Sequence, residues 1–138
     1  MIRFDKADVQ LPDFLNNTTS DWIEYCIALY GKSVGELQYV FCSDEYLYEL
    51  NVRYLNHKTY TDIITFDLSD HAGFVSGELY ISLDRILENS KENCQTFENE
   101  LNRVIIHGVL HLLGFKDKTL SESEEMRLHE QKCLSLLT

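Results

Sequence analysis

The sequence has little that would divide it, since it contains one proline, six glycines and no stretch rich in Pro, Gly and Ser. Residues 1–138 are therefore predicted to form a single domain.

No apolar run reaches the roughly 18 residues that a membrane-spanning helix needs, so no membrane association is expected. The first residues reach Asp5 before any apolar stretch of the kind that a secretory signal contains. A cytoplasmic location is therefore expected.

The cysteines lack the spacing of a metal or redox motif. The chain has four of them and no Cys-x-x-Cys pair: Cys26, Cys42, Cys94 and Cys133. Scattered cysteines in a chain of this size usually fill the core. The sequence predicts reduced, buried thiols.

Basic residues are also scarce, with 12 Lys and Arg against 23 Asp and Glu and a net charge of −11. This balance argues against nucleic-acid binding through a broad basic face, because phosphates would be repelled. It leaves room for a local positive site, which a bound divalent metal would itself supply.

Hydrophobic periodicity indicates an α+β (mixed α/β) fold with a small mixed sheet packed with helices. Residues 19–22 indicate the start of a helix, with Ser20 or Thr19 as its cap. Ser121 and Glu124 predict a capping box at the start of the last helix. Strands are predicted over residues 2–4, 36–42, 61–67 and 77–83, and helices over residues 20–30, 43–53, 90–113 and 121–136.

The most informative segment is His107-Gly-Val-Leu-His111-Leu-Leu-Gly-Phe-Lys-Asp117. Residues four apart on a helix lie on one face about 6 Å apart, so both imidazoles can bind one ion. Gly114 is placed to end the helix and turn the chain, which lets Asp117 reach the same ion from the following loop. Two histidines at this spacing are often only ordinary polar side chains of a helix. In an apolar stretch, however, imidazoles without partners would be costly to bury, which favours a bound metal. The spacing predicts one Zn²⁺ per chain with an open fourth position, which is typical of catalytic rather than structural zinc.

A peptidase on the same metal site is one alternative. The zinc-protease pattern H-E-x-x-H places its general base beside the first histidine. That position is Gly108 here, which has no side chain. The sequence therefore argues against a protease of this type, although a base could come from elsewhere.

Other polar residues have two interpretations each. His57 and Lys58 lie in a loop before a predicted strand and could contact a phosphate or form only a solvated loop. Asp62 could orient a ligand histidine through a hydrogen bond, or cap its strand. His71 and His129 lie in polar surroundings and are expected at the surface.

The metal segment closely resembles the signature H-G-x-L-H-L-x-G-[YF] of the YbeY family, the bacterial rRNA maturation factors. Two further blocks match in the same order: Leu50-Asn51 with Thr61-Asp62-Ile-Ile-Thr-Phe66 resembles the family's L-N…T-D-V-L-S-F block, and Gly77-Glu-Leu-Tyr-Ile-Ser82 resembles its G-D-I-x-I-S strand. The matches span residues 41–126, because Glu124-Glu125-Met126 fits the start of the family's last helix.

The resemblance implies an α/β fold and a metal-dependent, single-strand-specific endoribonuclease. It also implies a role in maturing the 3′ end of 16S rRNA, in late ribosome biogenesis and in ribosome quality control. Two positions depart from the family pattern: the third ligand is Asp117 where the family often has His, and Leu55 stands where it usually has an RNA-contacting Arg. The basic residues near that position, Arg53, His57 and Lys58, are the substrate-binding candidates.

The chemistry and the rival functions stay open at this point. Zinc lowers the pKa of a bound water towards about 7, so either a zinc-bound hydroxide or the substrate's own 2′-OH could attack the phosphodiester. No other catalytic residue is assigned. Besides a peptidase, the chain could be a non-catalytic assembly factor with a structural zinc that docks on small-subunit ribosomal proteins, which an acidic surface would suit.

An acidic chain that binds single-stranded RNA needs an uneven distribution of charge. We expect a positive cleft around the metal, bordered by Arg53, His57, Lys58 and the lysines at positions 116 and 118. The acids are expected mainly on the last helix and on residues 88–100, facing away from the cleft.

Overall fold

A computed structural model of the protein describes residues 1–137, and within them four strands form one sheet. The sheet has the order β1-β2-β4-β3, in which β1, β2 and β4 are parallel and β3 is antiparallel to β4. The strands are β1 (Ile2–Lys6), β2 (Ser33–Cys42), β3 (Ile63–Asp67) and β4 (Phe74–Ser82), and the helices are α1 (Asn17–Leu29), α2 (Asp44–Leu55), α3 (Leu83–Glu92), α4 (Phe97–Leu112) and α5 (Leu120–Leu134). The predicted mixed α/β fold with a small mixed sheet is confirmed.

The two faces of the sheet bury side chains of alternating residues, as the pleat of a strand requires. Leu79 and Ile81 of β4 join the main core with α1, α3, α4 and α5. Tyr80, between them, packs on the opposite face with Leu47 of α2. The sheet therefore lies between α2 on one side and the other helices on the other. None of the helices within residues 1–137 is both long and apolar enough to cross a membrane.

Several helix boundaries differ from the predictions because a competing cap lies nearby. The cap of α1 is Asn16, and Thr19 closes the capping box from inside the helix. The last helix likewise begins earlier, where Thr119 and Glu122 form the capping box.

The single helix predicted over residues 90–113 was wrong, because the chain breaks at Asn93 and Cys94. Cys94 adopts a left-handed conformation with φ 56°, and Thr96 then caps α4. The preceding residues form α3, which was not predicted. Cys94 is also exposed, whereas the other three cysteines are buried free thiols as expected.

Candidate metal centre

Two histidines and one aspartate meet at the C-terminal end of α4. The Nε2 atoms of His107 and His111 lie 3.1 Å apart. Each of them lies 3.4 Å from Oδ2 of Asp117. Among residues 1–137 these three form the one group of His, Cys, Asp and Glu side chains arranged closely enough to hold a metal ion.

The triangle has the size that a tetrahedral ion requires. Zinc bonds of about 2.0–2.1 Å to nitrogen and oxygen give tetrahedral ligand–ligand separations of roughly 3.3–3.4 Å. The observed separations of 3.1 to 3.4 Å fit this value without movement of the backbone. The donor set of two imidazoles and one carboxylate also suits zinc, and it leaves one tetrahedral position to a small molecule.

The end of α4 explains how Asp117 comes to face the two histidines. Gly114 has φ 105°, a conformation that glycine adopts without strain. Its N–H donates to His111 O and the N–H of Phe115 donates to Leu110 O, which is the Schellman arrangement. The chain therefore reverses shortly after His111, as the sequence predicted.

A second acid, Glu130 of α5, contacts His107 on the side of the ring opposite to Asp117. Its Oε2 lies 2.6 Å from Nδ1 of His107, and its Oε1 accepts from Nη1 of Arg103 at 3.2 Å. When Nδ1 carries the proton and donates it to Glu130, Nε2 of His107 presents a lone pair towards Asp117. In that protonation state Glu130 holds His107 in the orientation and the tautomer that a metal ligand needs.

Arg103 connects this acid to a second buried one. Its guanidinium donates to both carboxylate oxygens of Glu100, at 3.0 and 2.7 Å. The hydrogen bonds that Arg103 donates to Glu100 are the main reason why the pKa of Arg103 is raised above its ordinary value. Glu100 and Glu130 are only 1% and 5% exposed. The expectation that the acids of residues 88–100 and of the last helix face away was therefore wrong for these two, because they pair with Arg103 inside the protein.

Sequence reasoning missed the contact of Glu130 with His107, and it offered Asp62 either for such a contact or for capping its strand. One signal was present, since Met126, Glu130 and Cys133 fall on one face of α5 and an acid on an apolar face needs a buried partner. Asp62 instead accepts from Asn89 Nδ2 at 3.5 Å and lies 4.0 Å from Nη2 of Arg103. No hydrogen bond joins Asp62 to a histidine within the part of the chain that the structure describes.

The acidity of the Asp62 carboxyl is altered by its surroundings. Burial raises the pKa of Asp62, while the charges of Arg103 and His107 oppose the shift. A carboxyl with a raised pKa beside a candidate metal centre is suited to exchange a proton with a reacting group. Its place in the lining of the cleft beside the histidines, together with this pKa, makes Asp62 a candidate general acid or base, a role that the sequence analysis left unassigned.

The raised pKa of Asp62 predicts a pH effect on stability in the metal-free protein. Because the folded chain holds this proton more tightly than the unfolded chain, the stabilisation is present below the ordinary pKa of 3.8 and is lost as the pH rises through the folded-state value. Relative to Asp62→Asn, the parent should lose free energy of unfolding as the pH rises from about 4. Urea unfolding at a series of pH values measures this difference. The exposed Asp13→Asn is the control, and an equal pH dependence of the parent and Asp62→Asn would contradict the prediction.

The candidate centre opens into a cavity of about 710 Å³, called here the metal cleft. Its walls are the C-terminal half of α2, the loop from α2 to β3, strand β3, α4 and the loop that carries Asp117. Asn51, only 3% exposed, holds the loop wall by donating from Nδ2 to the carbonyl of Thr59 at 2.9 Å. The asparagine of the Leu-Asn block therefore has a structural role at this wall.

The candidate substrate residues divide between positions inside and outside this wall. His57 lines the cleft, as does Leu55. Arg53, in the last turn of α2, and Lys58, in the following loop, are not among its lining residues. Lys118 supplies the other basic side chain of the lining. A role for Arg53, His57 and Lys58 in RNA binding stays a prediction.

The two remaining histidines differ in exposure. The side chain of His71 is 77% exposed, as expected. His129 is not a simple surface residue, because its Nδ1 pairs with the hydroxyl of Tyr30 at 2.7 Å and its ring lies 4.2 Å from that of Phe115. His129 thus packs α5 against the turn that carries Asp117.

Gly108, between the two ligand histidines, faces the sheet. A Cβ at this position would lie 2.5 Å from Cδ2 of Leu79 and 2.8 Å from Cδ1 of Ile63. A glutamate here would be directed into packed side chains, so the base of an H-E-x-x-H protease has no space.

We expect Gly108→Ala to destabilise the protein by about 1–3 kcal/mol through overpacking. Gly108→Glu should cost more than about 3 kcal/mol, since it also buries a charge, and should give no casein hydrolysis. Denaturant unfolding and a casein assay check these results. A stable Gly108→Glu variant with peptidase activity would overturn this view of the position.

Comparison with known proteins gives one consistent family. The sequence model described as Endoribonuclease YbeY matches residues 2–138. The protein of Phocaeicola vulgatus named Endoribonuclease YbeY is 46% identical over 138 residues, covering 100% of this chain and 99% of the relative. The protein of the same name from Bacteroides thetaiotaomicron is 44% identical over 135 residues, covering 98% of each chain.

A solved structure agrees with these matches. The solution structure of a protein from Thermotoga maritima superimposes with a TM-score of 0.70 and 28% sequence identity. The similarity covers 99% of this chain and 89% of that one. The chain belongs to the endoribonuclease YbeY family.

Proposed function

We propose that this protein is a zinc-dependent, single-strand-specific endoribonuclease that matures the 3′ end of 16S rRNA late in ribosome biogenesis, in the cytoplasm. Its relatives carry the name endoribonuclease. The observation that carries the proposal is the triangle of His107, His111 and Asp117, whose size fits one zinc ion at the wall of an open cleft. Small-subunit ribosomal proteins are the partners that we propose for delivery to the rRNA.

The residues around the cleft have separate tasks in such a reaction. When bound, zinc would supply an electrophile that draws negative charge from a phosphoryl oxygen. His107, His111 and Asp117 would hold it, and Glu130 keeps His107 in the ligand tautomer through the hydrogen bond at Nδ1. Asp62 would take up or release a proton at its carboxyl group, because its pKa is raised.

The test combines metal analysis with cleavage assays on the purified full chain. We expect about one zinc per chain, cleavage of single-stranded RNA, little cleavage of a duplex, and loss of activity on chelation that zinc restores. A precursor with an unprocessed 16S 3′ end tests the rRNA assignment. Zinc binding without cleavage of any RNA would favour the non-catalytic assembly factor that docks on ribosomal proteins. Casein hydrolysis would favour a peptidase.

A further inference from the structure

Strand β3 lies at one edge of the sheet and forms a wall of the metal cleft. In the described part of the sheet it pairs only with β4, so its other edge is not covered by a strand. Ile63, Ile64 and Thr65 are consecutive and all three line the cleft. Because successive side chains point to opposite faces of a sheet, side chains alone would not place all three there. What the three residues share is the backbone edge of β3, and this edge therefore faces the cleft.

The register of the β3–β4 pair shows which backbone groups face this edge. Ser82 N–H donates to Asp62 O, and Leu68 N–H donates to Ser76 O. The register between these two bonds is regular, with Ile63 opposite Ile81 and Asp67 opposite Gly77. In an antiparallel pair, hydrogen-bonded and non-hydrogen-bonded residues alternate. The N–H and C=O groups of residues 64 and 66 therefore point to β4, and those of Ile63 and Thr65 point into the cleft.

We propose that this free edge of β3 binds the backbone of single-stranded RNA. The amide N–H groups of Ile63 and Thr65 donate to phosphate oxygens, and their carbonyls accept from ribose 2′-hydroxyl groups. The proposal rests on the proposed endoribonuclease function and identifies the element that recognises its substrate.

The charge of the cleft favours neutral donors as the means of binding. Besides His107 and His111, the cleft is lined by three acidic side chains and two basic ones. The acids are Asp62, Asp67 and Asp117, and the basic residues are His57 and Lys118. Such a lining does not attract a polyanion by charge, but backbone N–H groups bind phosphate without any net charge. The two amides lie about 6.8 Å apart along the strand, so each can donate to a different phosphate of one chain.

The free carbonyls add a chemical distinction between nucleic acids. A carbonyl can accept a hydrogen bond from a 2′-hydroxyl, which RNA has and DNA lacks. The edge therefore favours RNA over DNA, without reading base sequence.

Proline at position 65 removes the amide that faces the cleft without breaking a bond to β4. Edge strands tolerate proline where its missing N–H faces outwards. Thr65→Ala is the matched control, because it shortens the side chain and keeps the amide. Binding is measured on the zinc-loaded full chain, with fluorescent single-stranded decamers of RNA and DNA that carry phosphorothioate linkages to slow cleavage.

We expect the parent to bind the RNA decamer more tightly than the DNA decamer. Thr65→Pro should weaken RNA binding about tenfold or more, the cost of a lost hydrogen bond to a charged group, whereas Thr65→Ala should stay within about twofold. The salt dependence should be similar in both variants, since the amide is neutral. Parent-like binding by Thr65→Pro, or equal losses in both variants, would overturn the proposal.

A second measurement applies if Thr65→Pro does not fold. In nitrogen-15 spectra of the parent, the RNA decamer should shift the amides of Ile63 and Thr65 more than those of Ile64 and Phe66. An extended basic peptide that shifts these amides when RNA does not would assign the edge to peptide binding instead. RNA binding at the edge without cleavage would refute the nuclease and leave the edge intact, whereas cleavage unaffected by Thr65→Pro would refute the edge alone.

Discussion

Asp117→Ala is expected to lower zinc affinity by more than about 100-fold. Only His107 and His111 would remain, and loss even of a residue that merely orients a ligand costs about 10–100-fold in metal affinity. Asp117 is 38% exposed in its side chain and lies in a connector, so its removal should leave the fold intact. Competition with a chromogenic chelator measures the affinity, and thermal unfolding of the metal-free variant checks the fold.

Two variants control this experiment. Asp117→His should retain zinc, because imidazole is also a zinc ligand and the turn at Gly114 still directs position 117 to the centre. Asp67→Ala removes another carboxylate of the cleft that is not part of the triangle, so its zinc affinity should equal that of the parent. Parent-like affinity of Asp117→Ala would show that Asp117 is not the third ligand.

The triangle was predictable from the sequence because its geometry is local. Two positions four apart on a helix share a face whatever the rest of the fold does. Gly114 then reverses the chain by bonds to the last turn of the same helix, so Asp117 returns within a few residues. No contact distant in sequence is needed to bring these three side chains together.

The helices and strands were predicted less well where capping residues compete. Asn16, Thr19 and Ser20 can each cap a helix, and the choice depends on packing that sequence periodicity does not report. Helix α3 was missed because few of its residues are apolar, and only Ile86 and Ser90 are buried in it. The main strands, whose alternating or β-branched residues fill the core, were recognised although their ends shifted.

The distribution of charge could not be predicted, because it depends on pairing between separate helices. Arg103 of α4 binds Glu100 in its own helix and Glu130 in α5. A sequence of acidic residues on α5 suggests a solvated helix face, and burial of one of them is favourable only with a partner already in place. The same pairing places the Glu130 carboxylate against Nδ1 of His107, so the ion pair with Arg103 and the contact with His107 were missed for one reason.

Glu130→Gln tests the contact between Glu130 and His107, which was not predicted from the sequence. Glutamine keeps the shape but removes the charge that holds the Nδ1 proton of His107, so zinc affinity should fall about 10–100-fold. Glu130→Ala should lower it at least as much and should also destabilise the metal-free protein by about 1–3 kcal/mol, because Nη1 of Arg103 and Nδ1 of His107 lose their acceptor. Glu125→Gln, on the same helix with a 61% exposed side chain, is the matched control.

A Glu130→Gln protein that binds zinc as tightly as the parent would limit Glu130 to pairing with Arg103. A drop in zinc affinity at unchanged metal-free stability would instead assign it to positioning His107.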